Sequence, residues 1–91
     1  MNWKIAFTVK AQAAFNKLDT VIRRRIEHFI NSIPDFPDGP RMRGEPLQGP
    51  LAGLWKYRVG DYRLVCRIKD DVLTVLVVWL GHRREVYRKQ S

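Results

Sequence analysis

Three features of the chain predict an α+β fold, with helices packed on one face of a small antiparallel sheet. An alternating apolar segment opens the sequence, two runs with helical spacing follow, and three apolar runs separated by turn residues close it. The expected order is an N-terminal strand, a helical hairpin and a three-stranded antiparallel meander, β-α-α-β-β-β. At 91 residues, we expect one domain spanning 1–91.

Each element has its own signal. Trp3, Ile5, Phe7 and Val9 alternate with Asn2, Lys4, Ala6 and Thr8, the period-two pattern of a strand with one apolar face. Ala11, Ala14, Phe15 and Leu18 then fall on one side of a first helix. Asp19 or Thr20 can cap a second helix, whose apolar stripe is Ile22, Ile26, Phe29, Ile30 and Ile33. Pro34 ends it. Residues 34–53 carry five prolines and four glycines and read as a long loop, the kind that serves function or moves.

Strands are expected over Leu54–Val59, Tyr62–Lys69 and Val72–Leu80. Gly60-Asp61 suits a type II′ hairpin, and Asp70-Asp71 is a weaker turn signal. The first turn sets Arg58 opposite Arg63 and Trp55 opposite Cys66; the second sets Lys69 opposite Val72 and Arg63 opposite Val78. One face then carries Trp55, Tyr57, Val59, Tyr62, Leu64, Cys66, Ile68, Leu73, Val75, Val77 and Trp79. The other carries Lys56, Arg58, Arg63, Arg67 and Lys69, with Val65, Leu76 and Val78 among them. Like charges placed across a hairpin destabilise it, so Arg58 opposite Arg63 asks for a reason. Two readings stay open: a solvated face whose guanidinium heads splay into water, or a cationic bed for phosphates.

Charge points the same way. Seventeen Lys and Arg against nine Asp and Glu give a net +8, and residues 41–91 hold eleven of the basic residues against five acidic ones. A basic half suggests a polyanionic or acidic partner. No apolar run reaches the roughly 20 residues that cross a bilayer, and no signal peptide is evident, so no membrane partner and a cytoplasmic location are expected. Cys66 stands alone, which excludes an internal disulfide and a thiol cluster, and reads as a small buried residue. His82 lacks a nucleophile or carboxylate partner by spacing, and His28 lies outside the apolar stripe of its helix. Metal-ligand spacing, a Ser-His-Asp set and a phosphate-binding glycine loop are absent from the sequence. Gly81 is expected to end the last strand and turn the chain so that Arg83 or Arg84 swings over the basic face.

Leu54-Trp55-Lys56-Tyr57-Arg58-Val59-Gly60-Asp61-Tyr62-Arg63-Leu64-Val65, followed by Gly81-His82-Arg83-Arg84-Glu85-Val86-Tyr87, strongly resembles the RelE/ParE toxin superfamily, and the ending resembles its RelE branch. The resemblance implies the RelE-like fold and a toxin of a type II toxin–antitoxin system. It further implies a ribosome-dependent endoribonuclease (an mRNA interferase) that cuts the A-site codon by attack of a ribose 2′-OH on the adjacent phosphate, without metal or other cofactor. By motif position Lys56 and Arg58 match the family's basic pair, Arg63 its Arg after the turn, Arg83 its Arg after the glycine and Tyr87 its terminal Tyr. Tyr87 would take the 2′-OH proton or stack on the base; Arg83 would act at the leaving 5′-oxygen; Arg63 and Lys56 would hold the scissile phosphate. Arg23, Arg24, Arg25, Arg41, Arg43, Arg67 and Arg84 are candidates for docking on RNA and the ribosome. A RelB-like antitoxin is the implied protein partner. A ParE-like gyrase poison and a non-catalytic nucleic-acid-binding module are the competing readings.

Overall fold

The computed structural model describes residues 2–82. Strand β1 (Lys4–Phe7) is followed by helices α1 (Val9–Asn16) and α2 (Thr20–Ser32). Strands β2 (Glu45–Pro46), β3 (Trp55–Val59), β4 (Tyr62–Lys69) and β5 (Thr74–His82) complete one sheet in the order β1-β5-β4-β3-β2. The expected meander is β3-β4-β5. β1 lies parallel against β5, and the two-residue β2 extends the sheet beyond β3.

Local chemistry sets the boundaries. β1 stops at Phe7 because Thr8 caps α1, its hydroxyl accepting from the Ala11 N–H at 3.1 Å. Val9, expected as the strand's last apolar residue, is therefore the first residue of α1 and stands 89% exposed. Asp19 caps α2 through a 3.2 Å bond from the Val21 N–H. The apolar stripe of α2 is where spacing put it: Ile26, Ile30 and Ile33 are buried, and Ile22 and Phe29 pack beside them. They meet Tyr57, Leu64, Cys66, Val75, Val77 and Leu80 from one face of the sheet. Each aliphatic side chain fully buried there contributes about 1.5–3 kcal/mol.

The β3–β4 register is the expected one, Val59 opposite Tyr62 through Trp55 opposite Cys66. Gly60 takes φ +60 while Asp61 keeps a negative φ, as a type II′ turn requires. The β4–β5 register differs from expectation. Asp70–Val72 forms a 3₁₀ turn closed by Leu73 at φ +47, so Lys69 pairs with Thr74 instead of Val72. That slip of two leaves the faces unchanged. A bulge then separates Val65↔Trp79 from Cys66↔Val77, and this extra residue inverts everything after it. Trp79 therefore joins Val65 on the face away from the helices, while Leu80 enters the core opposite Leu64. Leu73 leaves the strand altogether. Gly81 does not break the strand either: it pairs with Arg63, where Val78 was expected, and β5 runs on to His82.

The proline-rich stretch is not a plain loop. It holds β2 and three 3₁₀ turns, each started by a proline at its first or second position. The buried Tyr57 hydroxyl donates to the Pro40 carbonyl at 2.6 Å and ties the stretch to β3. Burial pushes that phenol above its usual range, so it stays a protonated donor.

Candidate active site

β2 covers only Trp55 and Lys56 of β3, so the rest of that strand borders an open space. There a cleft of about 530 Å³ opens between α2, the 43–45 segment and the start of the β3–β4 hairpin. Among the described residues four cations line it, Arg43, Lys56, Arg58 and Arg63, against one carboxylate, Glu45; Phe29, Gly44 and Tyr57 line it too. An excess of three positive charges among the described lining residues suits a polyanion far better than a neutral ligand.

The four cations are held differently. Lys56 is half-buried, its Nζ 3.2 Å from Glu45 Oε1 across the β2–β3 pair. Arg58 is exposed, and among the described residues no carboxylate pairs with it. Arg63 is 7% exposed, and its guanidinium Nη1 donates to the Gly60 and Tyr62 carbonyls at 3.2 and 3.1 Å. Its cross-strand neighbours are Arg58 on β3 and Gly81 on β5. A glycine at that position has no side chain to compete for the space the guanidinium needs. Arg43 is exposed, with its guanidinium 5.7 Å over the Phe36 ring.

Lys56, Arg58 and Arg63, proposed from sequence as a catalytic set, thus stand on one cleft, and Arg43, proposed as a docking residue, stands with them. Arg83, Arg84 and Tyr87 lie outside the described residues. Arg23, Arg24 and Arg25 sit on α2 away from the cleft, with Arg25 laid against the Gly60 turn. Arg67 is exposed on the sheet face opposite the helices. Arg41 makes a two-pronged ion pair with Asp70, both contacts 2.9 Å, which leaves it locally neutralised. His82 is on the helix side, edge-on to Tyr62 at 5.6 Å, and lines a separate small cavity with Arg25 and Asp61. Sequence reasoning missed Glu45, Gly44 and Phe29. The available signal for Glu45 was a carboxylate just before a proline in an otherwise basic half, but its pairing with Lys56 depends on a strand too short to read.

A family model described as the ParE toxin of type II toxin–antitoxin systems, parDE, matches residues 5–87. The chain belongs to the RelE/ParE toxin family. Among relatives of this RelE/ParE-family toxin, RelG of Mycobacterium tuberculosis is 34% identical over 89 residues, covering 98% of this chain and all of that one. The toxin–antitoxin complex RelBE2 of Mycobacterium tuberculosis holds a chain of the same fold. It matches with a TM-score of 0.79 and 32% identity, over 91% of this chain and 93% of that one. A doubly arginine-substituted Escherichia coli RelE toxin in the free state matches with a TM-score of 0.74 and 25% identity, over 97% and 93% of the two chains. A RelE/ParE-family toxin of the type II systems therefore carries this cleft. Among its described residues no helix is long and apolar enough to cross a membrane.

Proposed function

We propose that this toxin is a ribosome-dependent endoribonuclease that cleaves mRNA in the A site, and that a RelB-like antitoxin restrains it. The observation that carries the reading is the cleft beside β3 that, among the described residues, gathers four cations and one carboxylate. In the proposed reaction a ribose 2′-oxygen attacks the adjacent phosphorus while the bond to the 5′-oxygen breaks. The products are a 2′,3′-cyclic phosphate and a 5′-hydroxyl. The 2′-OH proton passes to a base, and the 5′-oxygen gains one. Negative charge builds on the phosphoryl oxygens in the transition state, and cations already in place stabilise it without reorganising.

Arg63 suits the role of a fixed phosphate anchor, because its guanidinium is buried and oriented by two carbonyls. Lys56 shares the phosphate, its ammonium steadied by Glu45. Arg58, unpaired by any carboxylate among the described residues, meets the charge that develops during attack. Tyr87 is our candidate base or base-stacking group and Arg83 our candidate at the leaving oxygen, both from motif position. Glu45 is a second proton acceptor within the same cleft. A pH–rate profile separates the two: the base controls the rising limb, so only the substitution at the true base, Tyr87→Phe or Glu45→Gln, abolishes that limb. The antitoxin reading is supported by the Mycobacterium tuberculosis RelBE2 complex and by the net +8 of this chain, which favours an acidic partner. The ribosome would orient the codon, so weak bases suffice.

The test is primer extension on messages from programmed ribosomes. Wild type should leave codon-specific ends, and Arg58→Ala should slow cleavage by about 10²–10³ with an unchanged Tm. The family description itself names ParE, which favours one second reading, a gyrase poison. Intact message together with accumulated cleaved gyrase–DNA complexes would replace our reading with that one.

A further inference from the structure

The segment from Pro40 to Glu45 is exposed over most of its length yet tightly held. Its carbonyl at Pro40 takes the Tyr57 hydroxyl at 2.6 Å, and Arg41 grips Asp70 at 2.9 Å. The Trp55 indole N–H donates to the Arg43 carbonyl at 2.8 Å. Gly44 follows at φ +86, and a Cβ there would lie 2.4 Å from the Lys56 carbonyl and 2.6 Å from Trp55 Nε1. The chain is thus pressed onto β3 on both sides of Arg43. The Arg43 side chain is steered as well. Its guanidinium lies over Phe36, which packs edge-on to Phe29 at 6.2 Å, which packs edge-on to Tyr57 at 5.4 Å. A solvated surface arginine needs none of these constraints. This one lines the cleft and, among the described residues, faces no carboxylate partner.

We propose that Arg43 contacts a phosphate flanking the scissile one, and that Trp55 is its positioning residue, fixing the Arg43 main chain through the indole N–H. The ligand chemistry is single-stranded RNA backbone. The inference rests on the nucleolytic reading above. Arg43 reaches the cleft from the 43–45 segment and Arg58 and Arg63 from the β3–β4 hairpin, so one cleft would grip two successive phosphates. A contact to a non-reacting phosphate is made equally in ground and transition states, so it lowers KM and leaves kcat alone.

The experiment is a double-mutant cycle of Arg43→Ala, Trp55→Phe and the pair. It is read in kcat and KM on programmed ribosomes and in the Kd of the free toxin for a short fluorescein-labelled single-stranded RNA. Arg43→Ala should raise KM and Kd roughly 10-fold or more, as for loss of one charge-assisted hydrogen bond, with kcat unchanged. Trp55→Phe keeps an aromatic ring but loses the N–H donor along with part of the indole; it should raise both severalfold in wild type and add nothing once Arg43 is gone. Arg43→Lys should recover part of the loss. Equal KM and Kd in all variants would overturn the proposal, as would losses that multiply in the double variant, since Trp55 would then act independently of Arg43. Should wild type leave ribosome-bound message intact, the nuclease reading fails while the RNA-binding arm still decides the clamp.

Discussion

Arg63 is the one buried charge among the described residues. A cation out of water costs several kcal/mol unless hydrogen bonds replace its hydration. Here the Gly60 and Tyr62 carbonyls supply part of that replacement, and the cleft supplies a site where an anion can supply the rest. Arg41 shows the opposite solution. Its hydrogen bonds hold the Asp70 carboxyl below the ordinary value, and Asp70 in turn raises Arg41. Because the folded state binds that proton less readily than the unfolded chain, the pair's contribution is complete above the usual carboxylate range, about pH 4, and is lost as pH falls through it. Both side chains are well exposed, so the effect is small. Denaturant midpoints of wild type and Asp70→Asn should differ at neutral pH and converge in acid; a gap that persists at low pH would exclude the pair as its source.

At the scale of elements, the two hairpins show where pattern reading works. Gly60-Asp61 has turn chemistry specific enough to fix β3 against β4 residue by residue, and so Arg58 against Arg63 was legible. Asp70-Asp71 does not specify one turn. The chain uses a 3₁₀ turn with Leu73 left-handed and later absorbs a bulge, neither of which hydrophobic alternation encodes. The outcome is visible in two residues: Trp79 left the core face and Leu80 entered it. The helix stripe was readable because five apolar residues at helical spacing have one buried arrangement. β2 was not, since two residues carry no period, and with it went the Glu45–Lys56 contact. Gly44 marks that junction. Alanine there meets strained backbone and a carbonyl at 2.4 Å, so Gly44→Ala should destabilise the fold by about 1–3 kcal/mol in denaturant titration. Gly53→Ala is the comparison, with a similar positive φ and open space around it, and should cost less.

For the whole molecule, the sheet divides the labour. Its helix-side face is used up in the core with α1 and α2, while Arg43, Lys56, Arg58 and Arg63 gather at the cleft beside β3. Within the net +8, four basic side chains of the described residues converge on one cleft and make a local positive field there. A field of that kind speeds encounter with RNA and is screened by salt. Binding that neutralises several phosphates releases counterions, with a slope of log K against log salt near −0.7 per phosphate on single strands. With two phosphates gripped, the scissile one by Arg63, Lys56 and Arg58 and a flanking one by Arg43, the slope for a short single-stranded RNA should be about −1.4. Arg43→Ala should then flatten it by about 0.7, whereas Arg24→Ala, exposed on α2 away from the cleft, should leave it unchanged. A wild-type slope near zero, or one flattened equally by Arg24→Ala, would mean that RNA reads the total charge of the protein and not the cleft.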